Sequence, residues 1–183
     1  DLQRLGEIVL SVSRTKDEKK RVSKQVAILS DRDIASIVPN TSAELLREAP
    51  GIRIQRSQGG GGSPVIRGFE ANRILLVVDG VRMNNAIYRS GHLHNAISID
   101  PFSLSRAEVV YGPSSVGYGS DALGGVVHYF TKEPRVGDAQ PWRFFIANSY
   151  DTRHEHSINH VDITHSNDKW ASLTSASYSI FGD

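Results

Sequence analysis

Apolar positions along this chain come as short β-branched runs set between polar stretches, a texture of strands rather than of long amphipathic helices. Glu7-Ile8-Val9-Leu10-Ser11-Val12 is the first run, either a strand of the fold or an extended segment open to pairing. Val26-Ala27-Ile28-Leu29 predicts a strand ending at Ser30-Asp31, with Asp31 or Asp33 capping a short helix through Ile37. Thr41 followed three residues later by Glu44 predicts a capping box for a helix over 43–49, stopped by Pro50-Gly51. Strands are expected at 52–55, 65–67 and 74–78, the last too continuously apolar to have a wet face. Asp79-Gly80 then turns the chain into Val81-Arg82-Met83 as a hairpin. Polar, aromatic and Gly-containing residues from Tyr88 to Asn95 predict a loop, the kind of surface segment that carries binding groups. A helical turn at 103–106 and a strand at 107–111, closed by Gly112-Pro113, follow.

After Lys132-Glu133-Pro134 the period changes. Trp142, Phe144, Ile146 and Tyr150 share one parity, and Arg143, Ala147, Ser149 and Asp151 the other. Val161 and Ile163 repeat the pattern against His160, Asp162 and Thr164, and 170–180 repeats it more loosely against Ala171, Ser175, Ser177 and Ser179. Strands of about ten residues, apolar on one side and polar on the other, suit a transmembrane β-barrel, and equally a soluble sheet with one face exposed.

Composition narrows the chemistry. With 21 Lys and Arg against 20 Asp and Glu in 183 residues, no bulk basic field points to nucleic acid. The absence of cysteine excludes disulfides, thiolate metal sites and cysteine nucleophiles. Thirteen of the 16 glycines fall between Gly51 and Gly125, so the middle of the chain depends on tight turns and close backbone contacts. The longest aliphatic run, Ile74 to Val78, is far short of the roughly 20 residues of a membrane helix. Asp1-Leu2-Gln3-Arg4 has no basic stretch leading into an apolar one, and the first residue is not Met. The chain is therefore expected to be a processed or excised piece. Gly59 to Ser63 lacks the following Lys-Ser/Thr and helix of a phosphate loop. No catalytic constellation stands out, and no enzyme is expected.

The blocks Leu45-Leu46-Arg47-Glu48-Ala49-Pro50-Gly51-Ile52, Ile66-Arg67-Gly68-Phe69, and Ile74-Leu75-Leu76-Val77-Val78-Asp79-Gly80-Val81 occur in that order. They continue with Ile99-Asp100-Pro101, with 106–115 (Arg-Ala-Glu-Val-Val-Tyr-Gly-Pro-Ser-Ser), with 118–127 (Tyr-Gly-Ser-Asp-Ala-Leu-Gly-Gly-Val-Val) and with Thr131-Lys132. Together they resemble the plug domain of TonB-dependent outer-membrane receptors, over about residues 7 to 133. The resemblance implies an α/β plug, a small mixed sheet with short helices, followed by the first antiparallel strands of a transmembrane β-barrel. Its divisions would be an energy-coupling segment at 1–14, the plug at 15–135 and two or three barrel strands at 136–183. Lipid of the outer membrane would meet the apolar parity.

The family further implies that Glu7, Ile8, Val9, Leu10 and Ser11 form the box that pairs as an added strand with periplasmic TonB. Among the seven histidines, His92 and His94 flank Leu93 in the expected loop, where a free imidazole nitrogen is able to ligate iron. Gly91-His92-Leu93 ahead of Ile99-Asp100-Pro101 is similar to the plug loop of haem and haemoglobin receptors, which implies His92 as an axial haem ligand. Tyr88, Arg89, His94 and Asn95 would complete the ligand contacts, with haem as transported ligand and no cofactor for catalysis. His154 and His156 are expected in a polar turn between strands. A ferric-siderophore or cobalamin-like receptor is the alternative ligand class, and a periplasmic signalling or adhesive module the alternative of another kind.

Overall fold

The computed structural model describes residues 26–55, 62–69, 73–83, 99–112, 122–152 and 155–181, and the backbone of one short strand pair nearer the N-terminus. That pair joins β1 (Ile8–Val9) to β2 (Asp17–Glu18) in antiparallel register.

β3 (Val26–Ser30) leads directly into α1 (Asp31–Ile37). The cap is Ser30, not Asp31 or Asp33. Its hydroxyl accepts from Asp33 N–H, and the Asp33 carboxylate accepts in return from Ser30 N–H at 2.7 Å. A serine in extended conformation places its short hydroxyl over the first turn, and Asp33 completes the box from the third helical position. The second helix is shorter than expected: α2 (Ser42–Leu45) tightens into a 3₁₀ turn at Leu46–Glu48. Pro50 is the cause, because it drives Ala49 into extended backbone and ends the helical ladder early. Thr41 caps α2 as expected, but the Glu44 carboxylate reaches Asn40 N–H at 3.0 Å.

β4 (Ile52–Gln55) and β5 (Ser63–Ile66) form a two-stranded sheet. β5 starts two residues earlier than the sequence pattern suggests and ends at Ile66, because Arg67 (φ 50°) and Gly68 (φ 86°) already turn the chain there. β6 (Ile74–Val78), β7 (Val81–Arg82), β8 (Leu104–Tyr111) and β9 (Gly125–Thr131) join β3 in a five-stranded mixed sheet ordered β3-β8-β9-β6-β7, in which only β6 and β9 run parallel. Asp79 and Gly80 both take positive φ, 46° and 86°, the type I′ geometry the hairpin needs. The expected helical turn at 103–106 lies earlier, as a 3₁₀ turn over Pro101–Ser103 capped by Asp100. Pro101 fits the first helical position, where no N–H is needed.

The core has two sides. Ile74, Leu76, Val109, Val127 and Tyr129 face the helices, Phe102 and Leu104, while Leu75, Val77, Val110 and Val126 pack on the other side with Ala122. Burial on both sides explains why β6 carries no alternation. The Gly124-Gly125 pair is a packing device: a Cβ at Gly124 would sit 2.4 Å from Phe69 Cβ, and one at Gly125 would sit 2.8 Å from the Val110 carbonyl.

β10 (Trp142–Asp151), β11 (His156–Ser166) and β12 (Ala171–Ile180) form a separate antiparallel sheet of 10, 11 and 10 residues, the length of a tilted bilayer-spanning strand. Trp142, Phe144, Ile146 and Tyr150 are 55, 68, 67 and 65% exposed. The opposite parity of β11 is buried: His156, Ile158, His160, Asp162 and Ser166. His156 is therefore not in a polar turn. It opens β11 and packs on the Phe181 ring, with centroids 4.3 Å apart.

Candidate functional site

The predicted ligand residues Tyr88, Arg89, His92, His94 and Asn95 lie outside the described residues, as do Glu7, Leu10 and Ser11 and the second histidine of the expected turn, His154. Of the expected energy-coupling segment, the backbone of Ile8 and Val9 is extended and paired with Glu18 and Asp17. Among the described residues, no group of three His, Asp or Glu is placed to hold a metal ion.

The described residues do bring together a polar cluster where the compact unit meets the long strands. His160 and Asp162, two apart on β11, point to the same inward side, and the His160 side chain is completely buried. Phe102 and Phe145 flank its ring at centroid distances of 5.0 and 5.9 Å. His160 Nδ1 lies 2.6 Å from Ser177 Oγ, its cross-strand neighbour on β12, and 3.1 Å from Asp100 Oδ2. The Ser177 hydroxyl donates to Asp100, so its oxygen accepts from the imidazole Nδ1–H. On the other side of the ring, Nε2 lies 2.8 Å from Asp162 Oδ1, without the alignment of a hydrogen bond.

Lys132, the first residue after β9, closes the cluster. Its ammonium donates to Asp162 Oδ2 at 2.5 Å and lies 4.8 Å from the Phe145 ring centroid. Lys132 N–H also donates to the Ser103 carbonyl at 2.9 Å. Ser103 in turn donates from its hydroxyl and its N–H to the Asp100 carbonyl, at 2.7 and 3.1 Å. The contacts form a closed ring: Asp100, His160, Asp162, Lys132, Ser103 and back to Asp100. The alternation along the sequence puts His160 and Asp162 on the polar parity but assigns them no role. Two ionisable residues on the inner side of a spanning strand were the available signal, since such groups require partners.

Beside the ring, a cavity of about 610 Å³ lies between α1, the segment after β9 and the long strands. Arg32, Lys132, Arg135 and Arg143 line it against Asp31, Glu133, Asp138 and Asp162, so it favours neither sign of charge. Arg143 pairs with Asp138 at 3.1 Å. The segment leaving the compact unit is pinned over the turn after β11: Ser166 Oγ donates to the Arg135 carbonyl at 2.6 Å, and Gly137 N–H donates to the Asn167 carbonyl at 2.9 Å.

A second polar group occupies the opposite face of the mixed sheet. Arg106 Nε donates to the buried Glu108 at 2.8 Å, and its guanidinium lies 4.0 Å from the Phe130 ring centroid. His128 stacks on Phe130 and accepts Gly80 N–H at Nε2, 3.1 Å away. Burial pushes the His128 imidazole below its ordinary value, reinforced by Arg106 and opposed by Glu108 and Asp79.

A small mixed sheet with short helices, tied to the polar side of bilayer-length strands whose other side is apolar and exposed, is a plug held on a barrel wall. The TonB-dependent Receptor Plug Domain model matches residues 18–126, and the chain belongs to that family. TonB-dependent receptors are outer-membrane β-barrel proteins, which places this chain in the outer membrane. Over 133 residues, 72% of this chain, it is 32% identical to the vitamin B12 transporter BtuB of Vibrio vulnificus strain CMCP6. Over 107 residues it is 37% identical to a hemin receptor of Yersinia pestis, a match covering 58% of this chain and 15% of that one. Among solved structures, the alcaligin outer-membrane receptor FauA of Bordetella pertussis superposes with a TM-score of 0.73 at 18% identity, over 94% of this chain and 29% of that one, a likeness of fold. The chain spans 21% of the length of the Vibrio relative.

Proposed function

We propose that this chain is the plug and first wall strands of a TonB-dependent transporter that actively takes up an iron-containing nutrient, haem or haem drawn from haemoglobin. The plug seated against the polar side of β10 to β12 carries the transporter reading, because a folded unit inside a barrel closes a passage that must then be opened by work. Periplasmic TonB supplies that work through an added strand at Glu7 to Ser11. The haem reading rests on Gly91-His92-Leu93 in the 88–95 segment and on the likeness to the Yersinia hemin receptor. In this reading His92 binds the iron axially, Arg89 meets a propionate by charge-assisted hydrogen bonds, and Tyr88, His94 and Asn95 contact the ring edge.

The test is a hemin titration of the full-length receptor carrying His92→Ala, followed at the Soret band, with His94→Ala alongside. Loss of the ligated spectrum in His92→Ala alone is expected. An unchanged spectrum and affinity in both variants would end the haem assignment. The likeness to BtuB favours a cobalamin as the second reading, and cyanocobalamin binding by the same full-length protein would establish it.

A further inference from the structure

The closed ring joins two plug segments that are far apart in sequence. Asp100 stands at the C-terminal foot of the 84–98 segment, which contains the expected ligand residues, and Lys132 stands where the plug's last strand leaves for the barrel. Both are fastened to one strand, β11, through His160 and Asp162, and to each other through Ser103.

We propose that this ring is a mechanical coupler, so that the foot of the 84–98 segment and the exit segment after β9 leave the wall together. Its cooperativity follows from burial. Opening the Asp100 arm leaves the Nδ1 side of His160, between two aromatic rings, with only a Ser177 hydroxyl that has lost its own acceptor, and opening the Lys132 arm leaves the buried Asp162 without its cation. Buried polar groups that have lost one partner cost more than the same groups in water, so the first break makes the second cheaper. The role of the coupler in uptake, passing ligand engagement at 88–95 to the exit segment, rests on the function proposed above. The coupling itself does not.

Hydrogen exchange on the full-length receptor, without ligand, tests it. Asp100→Asn keeps an oxygen to cap Phe102 N–H, 2.9 Å away in the native protein, but removes the charge facing His160. Lys132→Gln removes the cation facing Asp162. Each variant is expected to speed exchange about tenfold in both 99–104 and 129–133, and the double variant to add little more. Arg143→Gln, whose ion pair with Asp138 lies outside the ring, leaves 99–104 unchanged. If each variant loosens only its own segment and the effects multiply in the double variant, the coupler does not exist. Should either variant fail to fold, Ser177→Ala removes only the bridging hydroxyl and is read the same way. Failure to bind hemin would refute the haem reading and leave this result standing.

Discussion

At His128 a single nitrogen decides whether a turn is tied down. Nε2 accepts Gly80 N–H only while it carries no proton, and burial keeps the imidazole below its ordinary value. The unfolded chain therefore takes up a proton at a higher pH than the folded one. This contribution to stability is fully present above about 6.5 and is lost as pH falls through the folded value beneath it. Protection of the Gly80 amide, corrected for intrinsic exchange, should drop in that acid window. In His128→Gln, where the amide oxygen still accepts, the dependence should flatten, and identical pH profiles for the two proteins would overturn the assignment. The turn itself was legible, because Asp-Gly between apolar runs is local chemistry. The imidazole 48 residues away was not, since nothing in its neighbours along the chain announces that contact. The same holds for Gly124, whose need to be glycine is set by Phe69.

In β10 to β12 the alternation alone marked which residues face outward, because a strand's side-chain period is two and a slip of one residue would turn every side chain over. Register confirms it: Phe144 pairs with Ile163 and Ile146 with Val161, giving a continuous apolar band. Ile146 lies near the middle of β10, so Ile146→Lys should destabilise the full-length barrel by about 2–4 kcal/mol in lipid vesicles. Chemical unfolding of the reconstituted protein measures this, and a wild-type midpoint would mean that the band does not meet hydrocarbon. Helix lengths were less legible. Periodicity extended the second helix to residue 49, and the backbone restriction before Pro50 shortened it. The serine cap of α1 was hidden for a related reason: Ser30 ends a strand and starts a helix at once.

At the scale of the whole molecule, ordered blocks spread over most of the plug made its architecture readable, because each block is a turn or strand junction with its own local demand. The ring through Asp100, His160, Asp162 and Lys132 was beyond that reading, since its members span three separate elements and meet only once the plug sits on the wall. Asp100 and Lys132 anchor the later part of the plug to that wall. The expected pulling point, at Glu7 to Ser11, lies at its opposite end in sequence. Ile8 and Val9 already have the extended backbone that strand addition requires, with one edge occupied by Asp17–Glu18, so a TonB strand would either take the other edge or displace that pairing. Both routes need the Val9 backbone. Val9→Pro removes its N–H and fixes its φ, and the expected ligand residues at 88–95 lie far away in sequence. Energised uptake by the full-length receptor should therefore fall to background while equilibrium ligand binding stays within about twofold of wild type. Uptake and binding assays on the same variant separate the two. Normal uptake would show that force enters the plug elsewhere, and lost binding would show that this segment belongs to the ligand site or the plug core instead.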